Sequence, residues 1–140
     1  MLLNMTVVYG LRAIAVLACL QPGECVNNQH LAERTAVPRP YLSKVMRKLV
    51  VAGLVRGQRG RGGGFMLHRA PGEIRLADVL QALDLEIDGG CAFGYAACDP
   101  ANPCALHPLW ARLQASLATW ADDNTFAELS AARGRPDRRR

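Results

Sequence analysis

Three cysteines and one histidine in the C-terminal half of the chain are the residues best suited to metal chemistry. Cys91, Cys98 and Cys104 lie in a segment rich in Gly, Asp and Pro, and His107 follows Cys104 by three residues. Thiolates are soft ligands that suit iron-sulfur clusters, and a flexible loop lets three of them converge on one centre. A histidine one helical turn after Cys104 is placed to supply a fourth ligand.

The spacing of these cysteines leaves more than one chemistry open. An iron-sulfur cluster fits three thiolates and one further donor. A structural zinc site uses the same residue types, but zinc ligands usually come as close Cys-x2-Cys pairs, and the gaps here are wider. A metal-free switch based on thiol oxidation is the third possibility. His107 could also face solvent or another helix without binding metal.

The cysteine count argues against a disulfide framework. Five cysteines in a chain without an export signal favour thiols that act as ligands or sensors in a reducing compartment. The apolar stretch at residues 13–20 is too short to cross a bilayer and lacks the basic flank of a signal peptide. We therefore expect a cytoplasmic protein without a membrane partner, in which Cys19 is a small buried apolar residue.

Basic charge is concentrated in one stretch of the chain. Nine of the 17 Lys and Arg residues fall within residues 34–72, which contain no acid, whereas residues 73–132 are mainly acidic. A contiguous basic surface of this kind is typical of proteins that bind nucleic-acid phosphates. A merely solvated surface is the alternative, and the local structure decides between the two.

The elements before the cysteines have the pattern of a helix-turn-helix. Apolar residues at spacings of three and four predict a first helix within residues 1–20 and a second over 29–35. Pro38 and Pro40 suit the first turn of a third helix that runs to Ala52. Its apolar residues form one stripe and its basic residues lie elsewhere, as in a recognition helix; the predicted stripe is Leu42, Val45, Met46 and Leu49.

A glycine-rich hairpin is predicted to follow the third helix. Strands over 54–56 and 65–67 flank a loop with five glycines, and Arg59 and Arg61 lie near its tip. Glycines allow close backbone approach to another molecule. A Walker phosphate loop is the rival interpretation, but its glycines lead into a helix through Gly-Lys-Ser/Thr, whereas these lead into a strand. The hairpin is therefore predicted to be a wing.

The remaining chain is predicted to form two helices around the cysteine segment. A helix over 76–83 is followed by a loop over 84–103 and a long amphipathic helix over 105–122. The long helix carries more apolar surface than a small domain buries alone, which indicates a dimer interface, with packing on its own core as the alternative. The Arg-rich segment 133–140 is expected to be a disordered tail.

These patterns predict a mainly α fold. Its architecture is a winged helix-turn-helix with a two-stranded wing and a long C-terminal dimerisation helix. We divide the chain into a DNA-binding domain at 1–83, a cysteine-bearing loop at 84–105, a dimerisation segment at 106–132 and the basic tail at 133–140. We find no catalytic constellation of His, Ser and acid, and expect neither enzyme activity nor a small-molecule substrate.

The sequence resembles the winged-helix iron-sulfur transcription regulators of the IscR/NsrR type over about residues 1–130. The resemblance rests on motifs that begin at Tyr9-Gly-Leu-Arg-Ala, Tyr41-Leu-Ser-Lys-Val and Ala52-Gly-Leu-Val, on the wing Arg59-Gly-Arg-Gly-Gly-Gly-Phe, on the cysteine triad, and on Leu106-His-Pro-Leu-Trp. The wing and the triad together are specific, whereas either alone is weak.

The resemblance implies a homodimer that binds double-stranded promoter DNA, with the third helix in the major groove and the wing at the adjacent minor groove. It carries over DNA contacts to Tyr41, Ser43, Lys44 and Arg59. Charge and position add four further contacts; these are Arg39, Arg47, Lys48 and Arg61.

Two departures from the family pattern affect what is recognised and how a cluster is held. Pro38 and Pro40 replace serines at the start of the recognition helix, so we expect the recognised DNA sequence to differ from that of IscR-type regulators. Val8 stands where the nitric-oxide regulators place an acidic ligand, and valine cannot bind metal. The six-residue gap between Cys91 and Cys98 resembles some nitric-oxide regulators, whereas His107 and Trp110 resemble the IscR type. We therefore prefer a 2Fe-2S cluster on three cysteines and His107 over a 4Fe-4S cluster with an external or absent fourth ligand.

The resulting prediction is a transcription regulator, acting as a repressor, whose promoter affinity is set by an iron-sulfur cluster that senses iron-sulfur status, redox stress or nitric oxide. The alternatives are a DNA-binding regulator with a metal-free thiol switch or structural zinc. A small iron-sulfur electron carrier would explain the cysteines but would leave the basic helix and the wing without a purpose.

Overall fold

The computed structural model describes residues 3–87, 91, 93 and 99–128. Within them, the elements follow in the order α1 (Met5–Ala18), α2 (Asn28–Thr35), α3 (Arg39–Val51), β1 (Val55–Gln58), β2 (Gly64–Leu67), a 3-10 turn (Pro71–Glu73), α4 (Leu76–Ala82) and α5 (His107–Asp123). This order confirms the predicted fold class of helices with one two-stranded wing. No helix among the described residues is both long and apolar enough to cross a membrane.

The helix ends are set by local chemistry. Side chains of Asn4 and Asn27 accept hydrogen bonds from backbone N–H groups at the starts of α1 and α2, at 3.0 and 2.9 Å. Each bond satisfies an amide that has no partner within the helix. Ala36 ends α2 in the left-handed region at φ 55°, and Gly53 follows α3 at φ 75°, where glycine is free of strain.

The apolar core of the described residues lies where α1 to α4 meet. Its fully buried side chains include Ile14, Leu31, Leu42, Leu49, Leu54 and Val79. The predicted stripe of α3 is buried at all four positions, which confirms the helical periodicity. Burial of each large aliphatic side chain stabilises the fold by about 1.5–3 kcal/mol, so this stripe fixes which face of α3 points outward. Cys19 is only partly buried, at the C-cap of α1.

The wing is fastened to the body of the domain. β1 and β2 pair antiparallel from Val55 opposite Leu67 to Gln58 opposite Gly64. Val26, just before α2, adds a bridge to Phe65 through hydrogen bonds of 3.0 and 2.7 Å. Gly64 lies so close to Val26 that an added Cβ would stand 2.3 Å from its carbonyl oxygen. The hairpin is therefore held in a fixed direction relative to the helix-turn-helix.

The last helix joins the domain mainly through its C-terminal end. Ala121 and Phe126 are buried, and the Leu76 N–H donates to the Asn124 carbonyl at 2.9 Å. One face of the remaining helix has no cover among the described residues; its exposed apolar side chains include Leu109, Leu113 and Trp120. The long helix predicted over 105–122 begins at His107 instead, after a turn in which the His107 N–H donates to the Cys104 carbonyl.

Candidate nucleic-acid interface and cysteine segment

Six of the residues predicted to contact DNA lie on the outer side of α3. Because the buried residues of α3 recur at spacings of three and four, the other positions face solvent. All six are exposed: Arg39, Tyr41, Ser43, Lys44, Arg47 and Lys48. Four of the six are cations, which can bind phosphates or base edges.

The other two predicted contacts lie at the tip of the wing. Arg59 and Arg61 are exposed, and Gly60 and Gly62 between and after them adopt φ values of 95° and 71°. These values favour glycine, so the tight turn depends on this residue type. A groove of about 570 Å³ between the wing and the end of α3 is lined by residues that include Asn28 and Arg59.

Ser43 has partners that the sequence did not predict. Its hydroxyl donates to the Arg39 carbonyl at 3.0 Å and accepts from the Asn28 amide nitrogen at 3.2 Å. The one hydroxyl proton is therefore used inside the protein, and the hydrogen bond from Asn28 ties α2 to α3. The other amide atom of Asn28, Oδ1, is buried without a hydrogen-bond partner among the described residues.

Tyr41 rests against α1. Its ring centroid lies 6.3 Å from that of Tyr9 at an interplanar angle of 52°, yet Tyr41 stays 58% exposed. The two rings border a pocket of about 450 Å³ that is also lined by Lys44 and Lys48. Tyr41 thus combines a packing contact with an accessible phenol, and Tyr9 positions it. The sequence placed Tyr9 only within a family motif.

Lys48 is the one predicted DNA contact that forms an ion pair within the described part of the chain. Its Nζ lies 2.5 Å from the Asp84 carboxylate, which follows α4. Both side chains remain exposed, at 45% and 76%. The pair therefore contributes little to stability, as exposed ion pairs generally do, but it places an acid beside the basic helix.

Arg75 contacts both α4 and α5. Its guanidinium lies 3.0 Å from Asp78 and 3.2 Å from Asp122, and its backbone N–H donates to the Asp78 carboxylate at 2.9 Å. Partial burial alone would raise the pKa of Asp78, but the hydrogen bonds and charge of Arg75 hold that pKa below its ordinary value. The hydrogen bond and the charge of Asp78 raise the pKa of Arg75. Both groups are charged at neutral pH, so the link is intact there.

The described part of the cysteine segment lies against the start of α5. The Phe93 ring packs edge-on to Trp110 with centroids 6.3 Å apart, and the Phe93 N–H donates to the Cys91 thiol sulfur at 3.4 Å. Cys104 and His107 lie in the turn that opens α5. Through Phe93 and Trp110, Cys91 is thus linked to the helix that begins at His107, three residues after Cys104.

The structure describes three of the four predicted cluster ligands. Cys98 lies outside the described residues, and among those described no group of three or more His, Cys, Asp and Glu side chains is arranged to hold a metal. Cys91 and His107 are partly buried and Cys104 is exposed. Cys91, Cys104 and His107 are thus not arranged around one centre, but two thiols and an imidazole are donors of the kinds that iron-sulfur clusters use, so the residue types fit such a group.

A helix-turn-helix with a basic third helix, followed by a wing with two exposed arginines, defines a winged-helix DNA-binding transcription regulator. The chain belongs to the Rrf2 family, whose description is "Iron-dependent Transcriptional regulator" and which matches residues 3–132. The family consists of regulators rather than enzymes, in agreement with the sequence prediction.

Individual relatives agree with this assignment. The regulator IscR of Vibrio atlanticus is 33% identical over 99 residues, which cover 71% of this chain and 57% of that protein. The match thus spans somewhat more than half the length of such curated relatives. The solved structure of T. potens IscR is 25% identical, with a TM-score of 0.74 over 98% of this chain and 92% of that one.

A second solved structure supports the fold alone. The B. subtilis protein CymR, described as a global cysteine regulator, is 24% identical, with a TM-score of 0.78 over 93% of this chain and 96% of that one. The winged-helix fold predicted from the sequence is therefore confirmed by two related structures as well as by the chain's own elements.

Proposed function

We propose that this regulator binds promoter DNA through α3 and the wing, and that an iron-sulfur cluster on Cys91, Cys98 and Cys104 controls its affinity. The observation that carries the proposal is the packing of Phe93 on Trp110: Phe93 donates to the Cys91 sulfur, and Trp110 lies in the first turn of the helix that begins three residues after Cys104. A change at the thiols would therefore reach α5 directly.

The DNA-binding part of the proposal assigns α3 to the major groove and the wing tip to the adjacent minor groove. The four cations of α3 and the two wing arginines are exposed, so phosphates can reach them. Contacts to phosphates supply affinity and orientation, whereas side chains that reach base edges supply specificity. Ser43, whose proton is committed to Arg39, would act by holding α3 in place and by accepting a hydrogen bond.

The proposed oligomer is a homodimer formed through α5. Leu109, Leu113 and Trp120 are 63%, 42% and 42% exposed along it, and a second copy of the same helix would bury them. A symmetric dimer places two α3 helices at half-sites about 34–36 Å apart. Because α5 is joined to the winged domain through the buried Ala121 and Phe126 and through the hydrogen bond from Leu76 to Asn124, its orientation sets that distance.

His107 is the proposed fourth ligand, in a 2Fe-2S site with three thiolates; a 4Fe-4S site with another fourth ligand is the alternative. When bound, the cluster supplies a centre that iron shortage, oxidation or nitric oxide can damage. The protein's part is to hold three thiolates against the start of α5, where Phe93 covers Trp110. The release of these thiolates would free the segment from α5 and change how two α3 helices are spaced. Repression is the proposed outcome of binding.

Replacement of Cys98 by serine tests the proposal. We expect protein purified without oxygen to lose its visible absorption and most of its iron, and its operator affinity to change by about tenfold, a typical coupling between two sites. Cys25→Ser is the matched control, since Cys25 donates to Gln58 beside the wing and lies far along the chain from the segment. Unchanged absorption and affinity in Cys98→Ser would contradict the proposal.

A metal-free thiol switch is the second candidate because the Cys104 side chain is exposed and therefore open to oxidants. Iron-free protein distinguishes it: if hydrogen peroxide changes operator binding in the complete absence of iron, and dithiothreitol reverses the change, the thiols act without a cluster. Zinc found in stoichiometric amount after oxygen-free purification would instead indicate a structural metal site.

A further inference from the structure

Asp84 occupies a backbone position at which glycine is usual. It follows α4 with φ 59°, in the left-handed region. The Asp84 N–H donates to the Gln81 carbonyl at 3.1 Å and the Leu85 N–H to the Leu80 carbonyl at 2.9 Å. These two bonds form the motif that commonly ends helices, in which this residue is most often Gly and sometimes Asn. The presence of a side chain at this position is therefore not explained by the end of the helix.

The side chain of Asp84 reaches the basic helix. Its carboxylate contacts the Lys48 ammonium, and it borders a groove of about 490 Å³ that is also lined by Lys44 and Arg47. Within the described residues, no other acid forms an ion pair with α3. One carboxylate thus lies among three cations of the proposed DNA-binding face.

A carboxylate and a DNA phosphate require the same ammonium group. Lys48 can bind only weakly to a phosphate while Asp84 neutralises it, and the approaching phosphate is repelled by the carboxylate. The ion pair is exposed, at 45% and 76% for its two side chains, so it is weak enough to be exchanged. Its strength suits a competition rather than a permanent link.

We infer that Asp84 is an internal competitor for DNA phosphate, which withholds Lys48 and keeps operator affinity below what α3 alone would give. The inference rests on the proposed DNA-binding role of α3. It assigns to Asp84 a function that neither its sequence position nor the fold requires, since glycine would end α4 equally well.

The Asp84→Asn variant tests this inference. Asparagine tolerates the left-handed region and keeps the size of the side chain, so the folded state should persist, as thermal unfolding can verify. We expect operator binding to tighten roughly two- to fivefold at low salt, the range of an exposed ion pair. The plot of log affinity against log salt should steepen by about 0.9, the value for one added phosphate contact.

Two further variants make the test specific. Glu86→Gln removes the same charge from an exposed residue two positions later that forms no ion pair with a described residue, and should leave the salt slope unchanged. In a Lys48→Gln background, Asp84→Asn should no longer steepen the slope. If Asp84→Asn acts no more strongly than Glu86→Gln, or acts equally without Lys48, the inference is overturned.

The same series separates this inference from the proposed DNA-binding face. Lys48→Gln alone should weaken operator binding and make the salt slope shallower. If it does so while Asp84→Asn has no effect, α3 binds DNA as proposed and the competition is wrong. If Lys48→Gln changes neither affinity nor slope, the role of Lys48 in the DNA-binding face fails, and the competition fails with it.

Discussion

At the scale of single residues, exposure separates side chains that can contact DNA from those that support them. Arg59 and Arg61 are exposed at the wing tip, whereas Tyr9 and Asn28 act through Tyr41 and Ser43 on α3. An arginine at the tip of this hairpin can reach a DNA groove because the neighbouring glycines have no side chains to block the approach of the backbone. The wing arginines should therefore act directly on DNA.

The Arg59→Ala variant should weaken operator binding and reduce the salt slope by about 0.9, the loss of one phosphate contact. If Arg59 reads a base in the minor groove instead, the loss should depend on the operator sequence while the slope changes less. Fluorescence anisotropy over a range of salt concentrations measures both quantities. The control is Arg112→Ala, which removes the same charge from an exposed position on α5. Equal binding by both variants would exclude Arg59 from the interface.

Residue types and their helical period predicted which side chains of α3 are exposed. Because buried residues of α3 must recur at helical spacing, its exposed cations could be identified without a structure. The contacts of Ser43 with Asn28 and of Lys48 with Asp84 could not, since each joins residues that are far apart in the chain. Periodicity identifies faces of one element, but it does not identify which residues of another element meet them.

At the scale of elements, the wing depends on a close approach between two backbones. Gly64 combines φ 148° with a distance of 2.3 Å between its would-be Cβ and the Val26 carbonyl oxygen. The sequence predicted a glycine-rich hairpin, but it gave no indication that one particular glycine joins β2 to the segment before α2. That information comes from the bridge between Val26 and Phe65, which is a tertiary contact.

The Gly64→Ala variant should therefore lower the free energy of unfolding by more than about 1 kcal/mol, because alanine is strained at this φ and its methyl group meets backbone. It should also weaken operator binding, since the wing loses its fixed direction. Gly57→Ala is the matched control in the same hairpin, where an added Cβ meets nothing closer than 3.8 Å. Urea denaturation of both variants measures the difference. Similar stabilities would show that the contact at Gly64 is unimportant.

At the scale of the whole molecule, α5 connects three features: the winged domain, the cysteine segment and an uncovered apolar face. Ala121 is buried near its C-terminal end, Phe93 packs on Trp110 near its start, and Gln114 donates to the Ile87 carbonyl at 3.0 Å. The amphipathic pattern predicted the helix and its excess apolar surface. The contacts of α5 with other elements could not be predicted, because the period of one helix does not show which residues of another element meet it.

The Leu109→Glu variant should disrupt the proposed dimer. A charge at a side chain that is 63% exposed in the single chain costs the monomer little, but it becomes unfavourable when a second copy covers it. We expect a monomer by light scattering, an intact far-UV spectrum and at least roughly tenfold weaker operator binding, because two linked half-sites become one. Ala115→Glu, on the opposite face of α5, should remain dimeric. A dimeric Leu109→Glu protein would rule out this face as the interface.

If the state of the cysteine segment controls DNA affinity, one oxygen-free preparation should show it when the protein is compared with and without iron. Operator affinity is titrated before and after removal of iron, with iron content and visible absorption recorded for both samples. We expect coloured, iron-containing protein whose affinity differs from that of the iron-free form by about tenfold. Protein that is colourless and iron-free as isolated, yet binds its operator normally, would contradict the account.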